Sequence, residues 1–185
     1  AYRGEKLTGS QCGRMDQACI YGKTPVLLTF QKSAGIRVEP VFPGGTIHMF
    51  FVDLGGKKDT IRILSDLQAA YGRDPGVQRG LGPDNEAIVR EAYMALGAGD
   101  AEWLGRLMTL AQEQFDRIVA PTSRDELASP LLHKLLAFEA IRPHVLGGKG
   151  VGSQGDGTCQ FVARSQADRD EAMGRITEEF PDMQC

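Results

Sequence analysis

The stretch Gly147-Gly148-Lys149-Gly150-Val151-Gly152-Ser153-Gln154-Gly155-Asp156-Gly157 decides how the rest of the chain is read. Six of its eleven residues are glycine. Glycine loses more backbone entropy on folding than any other residue, so a run this dense implies a backbone that turns sharply or approaches another group closely. A helical pattern precedes it and stops at Pro143; Thr158-Cys159-Gln160-Phe161-Val162-Ala163-Arg164 follows and reads as a strand. A glycine loop between a helix and a strand turns N–H groups inward as an anion-binding nest, with Lys149 adding positive charge. It serves equally as a tight connection without a ligand.

Two phosphate-binding patterns are excluded. Gly150-x-Gly152-x-x-Gly155 has the glycine spacing of a dinucleotide fingerprint, but that fingerprint follows a strand and opens a helix, the reverse of the order here. The G-x-x-x-x-G-K-[ST] pattern is absent because Lys149 is followed by Gly150.

Outward from the loop, the 185 residues suffice for one large or two small domains. Hydrophobic content of 42% and charged content of 24% are those of an ordinary globular chain. A net charge of −3, with both signs interspersed, points to neither a nucleic-acid surface nor a membrane patch. No apolar run approaches the ~20 residues of a membrane span. The opening Ala-Tyr-Arg-Gly-Glu-Lys is not a signal peptide and lacks an initial Met, which suggests a trimmed or internal segment. Cys12, Cys19, Cys159 and Cys185 have neither zinc-site nor disulfide-framework spacing, so free thiols in a reducing, cytoplasmic setting are expected. His48, His133 and His144 form no ligand motif and read as structural.

Thr8 to Gly22 contains a second landmark, Cys12-Gly13-Arg14-Met15-Asp16-Gln17-Ala18. Gly9 and Gly13 indicate a loop, and a short helix over 14–21 would end at Gly22. Asp16 would lie in its first turn, where the helix dipole favours a carboxylate by ~0.3–1 kcal/mol. On the residues alone, Asp16 is either a helix-start aspartate or a chemical group.

Three strand-like runs follow: Val26-Leu27-Leu28-Thr29-Phe30, Ile36-Arg37-Val38-Glu39-Pro40-Val41-Phe42 and Ile47-His48-Met49-Phe50-Phe51-Val52-Asp53-Leu54. They suggest a meander packed against the Asp16 helix. Lys57 and Lys58, beside a glycine turn, read as a solvated turn rather than a substrate contact. A helix over 61–71, capped by Asp59 or Thr60, places Ile61, Leu64, Leu67 and Tyr71 on one face. Residues 72–83, rich in Gly, Pro and Arg, form the expected boundary or mobile loop. Helices are then expected over 85–96, with Asp84 or Asn85 as cap, 101–119 and 130–141. A last amphipathic helix over 168–180 follows the late strand.

The segment from Cys12 to Ala18 resembles the "CGxMDQ" signature of the galactokinase-like branch of the GHMP small-molecule kinases, a family that includes galactokinase, homoserine kinase, mevalonate kinase and phosphomevalonate kinase. The stretch 147–157 looks like the family's third motif, a glycine-rich loop that often reads K-L-T-G-A-G-x-G-G and leads into a strand. The two motifs occur in the family's order, and the resemblance covers almost the whole chain. Gln154 and Asp156 stand where the motif has glycines. The family's second motif, a serine- and glycine-rich loop that holds the nucleotide phosphates, and its sugar-contacting N-terminal segment do not occur in this sequence. The resemblance therefore implies the C-terminal portion of a longer kinase.

Its implications are definite. The expected fold is α/β (α+β): residues 1–72 would complete a mixed sheet at the end of an N-terminal kinase domain, and residues 83–185 would form a helix-rich α+β plait with helices on one face. The activity it implies is ATP-dependent phosphoryl transfer to a hydroxyl of a sugar or sugar phosphate, with ATP and Mg2+ as the expected cofactors. A mevalonate-type kinase and a catalytically silent sugar/ATP sensor are the alternatives. Asp16 carries over as the catalytic base. Gly13, Lys149, Gly150, Gly152, Ser153 and Gly155 carry over as substrate- or phosphate-binding residues. No metal ligand is assigned. The expected partners are the small molecule, ATP and the missing N-terminal half, with no nucleic acid and no membrane.

Overall fold

A computed structural model describes Leu7, Gly22, residues 24–31 and residues 35–185. The helix expected over 14–21, with Gly13 and Asp16, lies outside the described residues.

The first two strands, β1 (Val26–Gln31) and β2 (Gly35–Pro40), form an antiparallel hairpin by themselves. The third, β3 (His48–Asp53), does not extend it into the expected meander. It pairs instead with a strand near the other end of the chain, β5 (Thr158–Ala163), with Phe50 opposite Phe161. A further strand, β4 (Val145–Gly150), completes an antiparallel sheet in the order β3-β5-β4. Apolarity explains the choice: beside β5, Phe50 and Val52 join the core on one face and Met49 packs on the other, while Phe51 stays exposed.

Between β3 and β4 the chain is helical. Helix α1 (Thr60–Tyr71) starts at Asp59, whose side chain accepts from the Arg62 N–H at 3.0 Å. Its inward residues are Ile63, Leu67 and Ala70, while Ile61 and Tyr71 are exposed. The inward face keeps Leu67 but is rotated from the expected one by about a quarter turn, because the core of Val119 and Leu127 lies on the Ile63 side. The expected loop over 72–83 is mostly helical too. Asp74 caps the short α2 (Pro75–Arg79), and a π-helical turn (Gly80–Asp84) accommodates Pro83. Proline at the first helical position is compatible with an N-terminus, so composition misled there.

Helix α3 (Asn85–Ala98) ends at Gly99 in the left-handed conformation, φ 69°. Asp100 then caps α4 (Ala101–Ile118), accepting from the Trp103 N–H at 2.8 Å. Asp84 precedes α3 without a side-chain cap and pairs with Arg79 at 3.2 Å. The short α5 (Arg124–Leu127) and α6 (Pro130–Leu136) follow. The helix expected over 130–141 breaks after Leu136 and resumes as a 3-10 turn, Glu139–Ile141. The last helix, α7 (Gln166–Glu179), is capped by Ser165, which accepts from the Asp168 N–H at 3.1 Å.

Helices cover both faces of the sheet rather than one. Cys159, Phe161 and Ala163 of β5 pack with Leu132 and Leu135 of α6 and Ala172 and Ile176 of α7. Val162 faces the other way, toward Ala95 of α3 and Leu104, Leu107 and Met108 of α4. The mixed α+β class expected from the sequence is the one observed. No helix among the described residues is long and apolar enough to cross a membrane.

Candidate functional site

The glycine stretch is divided between two structures. Gly147 to Gly150 belong to β4, so the loop is 151–157 and it joins two antiparallel strands, not a helix and a strand. Gly147 permits the close approach of α4: a Cβ there would overlap the carbonyl of Gly105, and one at Gly105 would lie 2.6 Å from the Leu146 carbonyl. Only a helix and a strand that both lack side chains at the crossing reach this separation.

The loop has a different requirement. Gly152 (φ 63°), Gln154 (φ 60°) and Gly155 (φ 69°) all adopt the left-handed conformation. Within the loop the Gln154 N–H donates to the Val151 carbonyl at 3.0 Å, and the Val151 N–H donates to Thr158 at 2.9 Å. Among the described residues no hydrogen bond occupies the N–H groups of Gly152, Ser153 or Gly155. Left-handed backbone beside N–H groups without partners among the described residues offers an anion a nest-like concavity.

The two positions that depart from the glycine motif have structural tasks. Asp156 accepts from the Leu132 N–H at 3.0 Å and so caps α6 from across the loop. Gln154 is buried, 3% exposed, and its side chain fills the space over Gly150 where a Cβ would otherwise sit. Its Oε1 is buried and accepts no hydrogen bond from the described residues. A buried acceptor without a donor costs about 1–3 kcal/mol, which a ligand donor at this point would offset.

Two lysines frame the loop. Lys149 directs Nζ to the Gly150 carbonyl at 2.6 Å, and burial pulls its pKa below the usual lysine value. Lys58, expected in a solvated turn, instead reaches under the loop and donates to the Gln154 carbonyl at 2.8 Å. Burial lowers its pKa as well. Lys58 was the residue that the sequence could not reveal, because its partner lies 96 positions away. Gly150 is further tied by its N–H, which donates to Oε1 of the buried Gln112 on α4 at 2.7 Å.

Of the sequence-assigned residues, Lys149, Gly150, Gly152, Ser153 and Gly155 thus lie together at one end of the β4–β5 hairpin. Gly13 and Asp16 lie outside the described residues. Among the described residues no group of three His, Cys, Asp or Glu side chains converges as a metal site. Cys159 is buried beside the site, and burial pushes its thiol up to about 12, which makes it a poor nucleophile.

No protein-family model and no curated protein matches the chain. Solved structures do. L. major mevalonate kinase, in complex with R-mevalonate, superposes with a TM-score of 0.76 at 20% identity over 97% of this chain and 52% of its own. Homoserine kinase from Cytophaga hutchinsonii gives 0.65 at 18% identity, over 97% of this chain and 51% of its own. Lactococcus lactis galactokinase, complexed with galactose, gives 0.64 at 13% identity, over 95% and 53%. The chain spans about half the length of each of these structures. It has the fold that these small-molecule kinases share over that half.

Proposed function

We propose that the chain is the C-terminal portion of an ATP-dependent small-molecule kinase that phosphorylates a hydroxyl of a sugar or sugar phosphate. The supporting observation is the loop 151–157, whose N–H groups at Gly152, Ser153 and Gly155 have no partner among the described residues, set in a fold shared with kinases of small alcohols. Free N–H groups on a left-handed turn fit phosphate oxygens. ATP with magnesium supplies the phosphoryl group and neutralises its charge. The chain's own residues would do three things. The loop would donate to phosphate oxygens; Lys58 and Lys149 would hold its shape from beneath; Asp16, by resemblance, would take the acceptor hydroxyl's proton. On this reading, residues 1–72 end an N-terminal kinase domain and residues 83–185 form the C-terminal one, with β3 crossing between them to pair with β5.

A mevalonate-type acceptor is the second reading. The superposition on the mevalonate kinase, 0.76, exceeds that on the galactokinase, 0.64. The "MDQ" form of the signature at Met15-Asp16-Gln17 favours the sugar.

The test is ADP release by the full-length protein with ATP and magnesium, across sugars, sugar phosphates, homoserine and mevalonate. Turnover on one acceptor is expected, falling at least ~100-fold in Asp16→Asn. Bound nucleotide without turnover on any acceptor would replace the kinase with a sensor. Turnover unaffected by Asp16→Asn would remove the aspartate from the chemistry.

A further inference from the structure

We propose that Gln112, Asp116 and His133 form a positioning relay through which His133 sets the backbone at the start of the glycine loop. The relay rests on the reading of 151–157 as the functional loop, and none of its three members belongs to either motif.

Each contact is directional. The strand β4 is at the edge of its sheet, so the Gly150 N–H has no strand partner on its outer side. It donates to Gln112 Oε1 at 2.7 Å. That fixes the amide: Nε2 of the same side chain donates to Asp116 Oδ1 at 2.8 Å. A flipped amide would set donor against donor at Gly150 and acceptor against acceptor at Asp116, so the buried Gln112 has one allowed orientation. Asp116 Oδ2 in turn lies 3.1 Å from His133 Nε2. On the far side of the ring, Nδ1 meets the carbonyls of Ser129 at 2.9 Å and Ala128 at 3.2 Å.

Carbonyls and a carboxylate only accept. Both ring nitrogens therefore carry protons, and His133 is an imidazolium in this arrangement. Burial pulls its pKa down, but the hydrogen bond and charge of Asp116 and the two carbonyls outweigh it and hold the group above its usual value. From α4 the charged group facing the ring is Asp116; from the ring's own helix and the turn before it, the carbonyls of Ser129 and Ala128 face it. A neutral ring donates from one nitrogen only, so deprotonation sets two acceptors against each other. The ring must then release either Asp116 or the turn, and Asp116 orients the amide that holds Gly150.

The other groups at the loop are separated from this step by His133→Gln, which removes only the histidine; burial lowers Lys58 and Lys149. Lys149 clasps the Gly150 carbonyl, and Cys159 is pushed up to about 12.

The test is NMR on the uniformly 15N-labelled chain without nucleotide, from pH 5 to 9 (roughly the window for a raised histidine). Ring resonances are assigned with His133→Gln. The expected result is a His133 midpoint above about 6.5, with the backbone amides of Gly150, Val151 and Gly152 shifting at that same midpoint. The loop step should vanish in His133→Gln. Asp116→Asn is the second variant, keeping the shape but removing the charge; it should lower the His133 midpoint by about one pH unit or more. Loop amides that stay flat through the His133 step would overturn the relay, as would a midpoint at or below 6.5. Because the readout uses no nucleotide, a coupled titration in a protein without kinase turnover would sink only the kinase reading. Turnover with a pH-flat loop would sink only the relay.

Discussion

The two parts of the stretch 147–157, the strand residues 147–150 and the loop 151–157, carry three glycines each and make opposite physical demands. In the first half, glycine is needed for what is absent: Gly147 lacks the Cβ that would strike Gly105, so α4 lies directly on β4. In the second half, glycine is needed for what the backbone does: Gly152 and Gly155 turn left-handed and leave N–H groups without a partner among the described residues. A glycine run is thus not one signal. Close approach and positive φ select the same residue for unrelated reasons.

The sharpest way to break this distinction is Gly147→Ala. The new methyl meets backbone on a packed helix, and neither side yields easily, so a loss of about 3 kcal/mol is expected. In a chain of this size that is roughly a 6–12 °C fall in thermal midpoint, measured by circular dichroism. A fall below about 2 °C would show that α4 can retreat and that the strand half is not governed by packing.

Gly155→Ala tests the loop half. Its φ of 69° strains any L side chain, and a Cβ would lie 3.2 Å from the Glu126 carbonyl and from Lys58. The expected cost is about 1–2 kcal/mol of stability. Isothermal titration with ATP should show an affinity loss of ~10-fold or more, about 1.4 kcal/mol. Equal ATP affinity in variant and parent would mean that the loop does not meet the nucleotide.

A smaller effect is expected from Lys58→Met, which keeps most of the stem but removes the donor to the Gln154 carbonyl. Urea unfolding should show ~1 kcal/mol of destabilisation, with faster amide exchange at Gln154 and Gly155. No change in exchange would return Lys58 to the solvated turn that its sequence context implied.

The smallest expected effect is a pH dependence of stability from His133. Its pKa is raised in the folded chain, so its contribution is fully present below the unfolded value near 6.5. It is lost as pH rises through the folded value. The ring is half exposed, so the effect should be modest, read as the difference between the parent and His133→Gln melting curves across that window. A difference that grows with rising pH would have the wrong sign and would remove the imidazolium.

Most elements were legible in the sequence because their signals are local. Period-2 apolarity marked β2, and the run from Ile47 to Leu54 marked β3. The helical run over 85–96 marked α3, and an amphipathic stripe marked α4. Apart from 72–83, where Gly and Pro composition hid helical turns, the misreadings share one cause, which is distance along the chain. β4 was hidden because Gly147 and Gly148 carry no side chain to alternate, and only contact with α4 and Phe161 makes glycine suitable there. Ile61 looked inward because nothing local says where Val119 lies. At the site, the loop residues from Lys149 to Gly155 were recognisable from glycine density and resemblance. Lys58, Gln112, Asp116 and His133 were not, since each is defined by a partner or a network that the fold alone assembles.

The pairing of Phe50 with Phe161 has a consequence during synthesis. A ribosome adds ~5–20 residues per second, so β3 leaves the exit tunnel on the order of ten seconds before its neighbour exists. Throughout that interval Met49, Phe50, Phe51 and Val52 form a nascent apolar strand with an open edge, a template for misassociation. Codon usage, temperature and chaperone supply should therefore govern the yield of soluble protein more strongly than the stability of the finished fold does.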